Sequence, residues 1–368
     1  MIWKDYVRTL LLTTLLAAGT LYLWILLVDP YNNVWFSPPL EREPISKNQR
    51  YSYPGLARNP RFDSVIIGTS SARLLRPGQL DPLLGASFVN LAMNAATSYE
   101  QSQILSVFLH NREFVRYAIF GVDEIWCEPG RTLEQYSSYH FPHWLYDDNA
   151  WNDLLYLFNS EALSQAWSQF RNFLGWRTPR WGMDGYRNFL PPASTYDIDK
   201  VRKELYEEPG EGQAAIEQIA PARIAAERTG WTFPDLELLR AMLAAPPRET
   251  VRILFFPPYH HTHLPAPASR KEAALDECKT RIREMAGSLP NVHVLDFMFR
   301  SRITLADENY WDRVHYALPV AELIGATLVA GLTSREESGD TYRILWPTEA
   351  DPQPVGRPHQ QATHQSAR

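Results

Sequence analysis

The sequence predicts an α/β fold: a parallel sheet covered by helices on both faces, tethered by one apolar N-terminal segment. Three observations predict it. Short apolar runs alternate with helix-length segments from residue 62 onward. The first of those runs, Phe62–Gly68, is a short apolar stretch ending in Gly, a buried parallel-strand pattern. Residues 9–28 carry no charge at all.

Thr9 to Val28 reads TLLLTTLLAAGTLYLWILLV. That matches the roughly 20 apolar residues a helix needs to cross a bilayer. Lys4 and Arg8 precede it, and Asp29 and Pro30 follow. By the positive-inside rule the N-terminus stays cytoplasmic and the rest is exported. Tyr22 and Trp24 fall toward the outer end, where aromatic anchors are favoured. A cleaved signal peptide is the rival reading, disfavoured by the length of the run and the lack of an A-x-A site. Residues 29–60, rich in Pro, Asn and Ser, read as a linker reaching away from the membrane.

An α/β domain is expected over residues 61–333. Phe62–Gly68, Ser87–Leu91, Val115–Gly121, Val251–Phe256 and Val292–Phe297 are its candidate strands. Ser98-Tyr99-Glu100-Gln101 fits a capping box, with a helix to about His110. Further helices are expected over 234–244, 267–286 and 319–332. Residues 128–230 interrupt the alternation with Trp144, Trp151, Trp167, Trp176 and Trp181. This stretch reads as a mostly helical insertion, its tryptophans forming the core of a cap more readily than glycan platforms. Beyond Ser334 the chain is polar and Pro/Gln/His-rich, so 334–368 reads as a disordered tail.

With 45% hydrophobic and 21% charged residues, a mainly disordered chain is excluded. The formal charge of -6 argues against a nucleic-acid partner. Cys127 and Cys278 form no metal motif and could pair or stay as two buried thiols.

Ligands of open α/β sheets bind at the carboxyl ends of strands. Gly68-Thr69-Ser70-Ser71-Ala72-Arg73, Asn90–Thr97 and Gly121-Val122-Asp123-Glu124 follow such ends. Asp312-Arg313-Val314-His315 lies between the last strand and the last helix. A serine hydroxyl becomes nucleophilic when a histidine takes its proton and a third group orients that histidine. One short turn can set Asp312 beside His315, which makes Ser70, with Ser71 as its alternative, the candidate nucleophile. His260, His261 and His263 follow the fourth strand. Consecutive residues seldom converge on one ion and no carboxylate or Cys is near, so they read as a pocket-rim loop touching substrate, with no metal.

These blocks resemble the SGNH (GDSL-like) hydrolase superfamily. Gly68-Thr69-Ser70 stands for its nucleophile motif, Asn90–Ala95 for its second block, Gly121-Val122-Asp123 for its third, and Asp312-x-x-His315 for its last. The resemblance covers roughly 62–127 and 250–332 and is nearest to membrane-anchored bacterial members. It implies a three-layer, flavodoxin-like sheet and a Ser70–His315–Asp312 triad. It also implies an oxyanion hole from the backbone N–H groups of Ser70 and Ala95, and no cofactor. By resemblance the chain is a single-pass inner-membrane protein with a periplasmic domain, working beside a membrane O-acyltransferase on exported polysaccharide. O-acetyltransferase and acetyl esterase are the implied activities. A glycan-binding or scaffolding partner that has lost catalysis is the alternative, and a plain secreted lipase is weaker. Two positions depart from the pattern. Ala95 replaces a glycine, so a positive φ becomes costly. Asp123 replaces an asparagine, and an ionised carboxylate donates no hydrogen bond. Arg73, Asn94 and Asn90 are the candidate substitute donors. Arg73, Asn94, Asp123 and His260 are the expected binding residues.

Overall fold

The computed structural model describes residues 2–44, 48–110, 112–132, 135–207, 221–334 and 339–347. Its elements run α1 (Ile2–Val28), α2 (Gln49–Ala57), β1 (Ser64–Ile67), α3 (Pro77–Leu84), β2 (Phe88–Asn90), α4 (Ser98–Leu109) and β3 (Tyr117–Gly121). Next come α5 (Ala150–Tyr156), α6 (Ser160–Phe173), α7 (Ile198–Tyr206), α8 (Pro221–Arg228) and α9 (Pro234–Ala244). The chain then runs through β4 (Val251–Phe256), α10 (Arg270–Gly287), β5 (Val292–Asp296), α11 (Leu318–Ala330) and β6 (Arg343–Trp346).

Side chains on a strand point alternately to the two faces of a sheet. In β4, Ile253 and Phe255 enter one buried cluster while Leu254 and Phe256 enter the other. β1 and β3 alternate the same way. Both faces are therefore buried, which is why the strands read as continuous apolar runs. Helices α3 and α11 pair on one face, and α2, α4 and α9 associate on the other. Among the described residues the strand order is β2-β1-β3-β4-β5-β6. The first five strands are parallel, and β6 is antiparallel to β5. The order reverses at β1, so the gap between the ends of β1 and β3 is a topological switch point.

Three sequence expectations need correction. The described residues of 29–60 are folded against the domain and do not form an extended linker. Asp29, just past α1, accepts from the Asn33 and Val34 N–H groups and from Ser37. Arg50 on α2 is wholly buried and grips Glu100 with two contacts of 2.8 and 2.5 Å. The polar composition that suggests a linker is spent on these internal pairs. Second, the tail contributes β6, whose Ile344 is buried. Four residues are too short a run to stand out against a Pro/Gln-rich neighbourhood; the rest of the tail, 348–368, lies outside the described residues. Third, Trp151, Trp167 and Trp176 are exposed, so only part of the insertion's tryptophan set serves as cap core. The cap of α4 also shifts by one: Thr97 accepts from the Glu100 N–H, and Glu100 accepts from the Thr97 N–H.

Cys127 and Cys278 form a disulfide joining the turn after β3 to α10 across 151 residues. A cross-link closing so long a loop restricts the unfolded chain strongly. Replacing both cysteines by alanine is expected to cost about 2–5 kcal/mol, measured as the loss in guanidinium unfolding free energy.

Candidate active site

Gly68 ends β1 in a backbone conformation (φ 154°) that side-chain-bearing residues rarely adopt. A Cβ there would lie 2.6 Å from the Ala72 Cβ, and one on Gly121 would lie 2.9 Å from the same atom. The two glycines thus let the turn carrying Ser70 press onto the ends of β1 and β3. Four hydrogen bonds fix that turn. The Arg73 N–H donates to the Thr69 carbonyl at 3.2 Å, and the Met93 N–H donates to the Gly68 carbonyl at 3.0 Å. The amide of Asn90, buried at the end of β2, donates to the carbonyls of Ala72 and Leu75.

Beneath the turn lies Asp123. It is 2% exposed, and its Oδ1 accepts from Ser71 Oγ at 2.8 Å and from the Tyr259 hydroxyl. Its Oδ2 has no partner among the described residues. Burial pushes this carboxyl up from its ordinary range, against the hydrogen bonds of Tyr259, Thr69 and Ser71 that favour the charged form. The Tyr316 hydroxyl donates to the Ser71 carbonyl at 2.7 Å from the other side. Ser71 is therefore buried and committed, which separates it from Ser70.

Ser70 faces the opposite way. Its Oγ lies 2.8 Å from His315 Nε2, although the two residues are 245 positions apart. His315 Nδ1 lies 2.6 Å from Asp312 Oδ2. The other carboxylate oxygen, Oδ1, accepts from the N–H groups of Val314 (2.9 Å) and His315 (2.8 Å). An antiparallel bridge between Tyr310 and Tyr316 closes this loop, and the Trp311 N–H donates to the His315 carbonyl. The spacing of three thus works through a tight, pinned loop. Burial opposes ionisation of Asp312, but the His315 imidazole and the two N–H groups outweigh it and hold the carboxyl below its usual range.

Beside this trio stands Phe189, which the sequence did not single out, together with the expected Arg73 and Asn94. Phe189 meets the His315 ring edge-on at 5.4 Å. The buried Arg73 guanidinium lies 4.6 Å over the Phe189 ring and donates to Asn94 Oδ1. A cleft of about 510 Å³ opens beside His315, lined among others by Phe189, Thr195, Lys200, Val201, Trp311 and Asp312. Most of that wall comes from the insertion, whose aromatic-rich sequence gave the only hint of it.

Of the expected oxyanion donors, neither the Ser70 N–H nor the Ala95 N–H has a hydrogen-bond partner among the described residues. Ala95 takes φ +45°, a conformation costing about 1–2 kcal/mol outside glycine. The turn is held in it by α2: Gln49 accepts from the Asn94 N–H and Arg50 donates to the Asn94 carbonyl. Asn90 is excluded as a donor because its amide hydrogens are committed. The Asn94 amide nitrogen has no partner among the described residues, and Arg73 gives Asn94 Oδ1 only a donor on Nη1 out of five guanidinium N–H groups, so both residues keep donors.

His260 is not a rim residue. It is fully buried, its Nδ1 lies 2.9 Å from Thr262 Oγ1, and burial, aided by neighbouring His261, pushes its pKa down to about 4. Its own N–H donates to the Arg313 carbonyl at 2.8 Å, a contact that a count of polar residues does not reveal. The fold brings Asp307 toward His260 and His261, but Asp307 is already engaged by Arg202 and Tyr206, each at 2.8 Å.

No family model matches the chain, and no curated protein matches it either. The site is therefore read from its own geometry.

Because the Asp312 pKa is lowered on folding, its stabilising contribution is present above the ordinary carboxylate pKa. It is lost as pH falls through the lowered value. An Asp312→Asn variant is thus expected to be less stable than the parent at pH 7, with the gap closing below about pH 4. Urea unfolding across that range checks this.

Proposed function

We propose that the chain is an SGNH-type acyl-transfer enzyme acting on an exported glycan, as an O-acetyltransferase or an acetyl esterase. The Ser70–His315 contact of 2.8 Å, backed by Asp312, is the observation that carries this reading. The strand order, with its reversal at β1, is that of flavodoxin-like sheets and supports the SGNH fold. α1 is long and apolar enough to cross a membrane. With Lys4 and Arg8 before it, this supports a single-pass anchor in a bacterial inner membrane and a periplasmic domain. The Cys127–Cys278 disulfide suits that oxidising compartment.

In the proposed chemistry Ser70 Oγ attacks the acyl carbonyl carbon while His315 Nε2 takes the hydroxyl proton. Asp312 holds the imidazole tautomer and stabilises its cation. The Ser70 and Ala95 N–H groups, with the Asn94 amide, receive the oxyanion. Collapse breaks the bond to the leaving group, which takes the proton from His315 and leaves acyl-Ser70. A sugar hydroxyl, or water in the esterase, then attacks that ester. His315 accepts its proton and returns it to Ser70. A membrane O-acyltransferase is the proposed source of acyl groups. No cofactor is required.

One observation favours a second reading, a glycan-binding or scaffolding partner. Where the family pattern has an asparagine donor, Asp123 is buried and serves as an acceptor for the turn. Glycan affinity surviving in a Ser70→Ala, His315→Ala double variant, with no turnover by the parent, would favour it.

The acyl-transfer reading predicts that the full-length protein in detergent hydrolyses an aryl acetate. Ser70→Ala is expected to abolish this, and Asp312→Asn to slow it by about 10³–10⁴-fold, as loss of the orienting carboxylate does in serine triads. Unchanged turnover in Ser70→Ala sinks the assignment.

A further inference from the structure

We propose that the α5–α6 segment is a membrane-resting element, seated in the outer headgroup–acyl boundary of the bilayer that α1 crosses. This rests on the reading of α1 as an anchor and goes beyond it. The segment packs on the last two turns of α1. The Tyr22 hydroxyl donates to the Leu154 carbonyl, and the Tyr22 and Phe158 rings meet edge-on at 5.5 Å. Trp24 meets Phe170 edge-on at 5.6 Å. Ile25, Leu26 and Val28 are buried in one cluster with Leu157, Ala162 and Ala166. At 1.5 Å per residue, Tyr22 lies about 9 Å before Val28 along α1. If residues 9–28 span the hydrocarbon, a surface touching Tyr22 and Trp24 reaches the level of the bilayer's outer edge.

The exposed side chains of this segment fit that level. Leu155 is 79% exposed, Trp151 68% and Phe158 53%, with Tyr156 and Trp167 also exposed. Trp35, from the segment after α1, meets Trp151 edge-on at 5.7 Å and extends the patch. Contiguous apolar surface of this kind marks an interaction site. Its Trp and Tyr content is that of the aromatic belts at membrane–water boundaries. Asn159, Ser160 and Glu161, where α5 gives way to α6, suit the headgroup layer, so the element rests in the interface and does not cross. Continuity with α1 selects lipid as the occupant. The same insertion supplies Phe189 and Lys200 to the cleft beside His315, so one segment both touches lipid and walls the site.

Site-directed spin labelling of the full chain in lipid nanodiscs tests this. With Cys127 and Cys278 bonded to each other, single cysteines are introduced as Leu16→Cys, Leu155→Cys, Phe158→Cys and Glu322→Cys. Glu322 lies on α11, across the sheet from α2. Accessibility to oxygen, which partitions into lipid, is compared with that to a water-soluble nickel chelate. The expected oxygen-to-nickel ratio at 155 and 158 is several-fold above that at 322 and approaches that at 16. A ratio at 155 and 158 as low as at 322, with 16 in lipid, overturns the proposal and leaves the anchor standing. A water-like ratio at 16 overturns the anchor and the proposal with it. Shielding of 155 and 158 from both reagents would mean protein contact and overturn the lipid assignment.

Discussion

A polar turn has to be held on the apolar end of a buried sheet, and the Asp123 carboxylate is where that is done. One of its oxygens takes hydroxyl donors from Ser71 and Tyr259, so β3, the Ser70 turn and the loop after β4 meet at a single buried atom. Tyr316 adds a bond to the Ser71 carbonyl from the residue next to His315. With Ser71 fixed from two sides, the neighbouring Ser70 is left to face the imidazole. Removing one partner from such a buried network leaves the others unsatisfied, at about 1–3 kcal/mol for each group. The Asp123 side chain therefore has a structural use here: it anchors the turn that carries Ser70.

The second dependence runs through the chain's first sixty residues. Arg50 and Gln49 reach across to the Asn94–Ala95 turn, and Arg50 is tied to Glu100 at the cap of α4. A positive φ at Ala95 is tolerable because its surroundings over-determine it. The segment that leaves α1 thus shapes the Asn94–Ala95 side of the site. The insertion that packs on α1 shapes the cleft.

Five strands were legible because burial on both faces leaves an uninterrupted apolar run, and each falls within a few residues of its expected position. The meeting of Ser70, Asp312 and His315 was legible because loops at the carboxyl ends of parallel strands converge and the Asp312–His315 spacing is short. The rest depended on partners distant in sequence. Nothing local to Arg50 announces Glu100, so α2 looked like linker. Nothing local to His260 announces that its loop turns inward, so a buried histidine looked like a rim residue. Tyr259 and Tyr316 matter only through Asp123 and Ser71, contacts that span 136 and 245 positions. β6 is four residues that gain order by pairing with β5.

The proposed nucleophile can be tested without knowing the acyl donor or the glycan. A fluorophosphonate reacts covalently with a serine whose proton is taken by a neighbouring base. Peptide mapping of the labelled full-length protein by mass spectrometry locates the adduct. The Ser70–His315–Asp312 arrangement predicts one adduct on Ser70, absent in His315→Ala and in Ser70→Ala. An adduct on Ser71, or labelling of the parent no greater than that of His315→Ala, would contradict it.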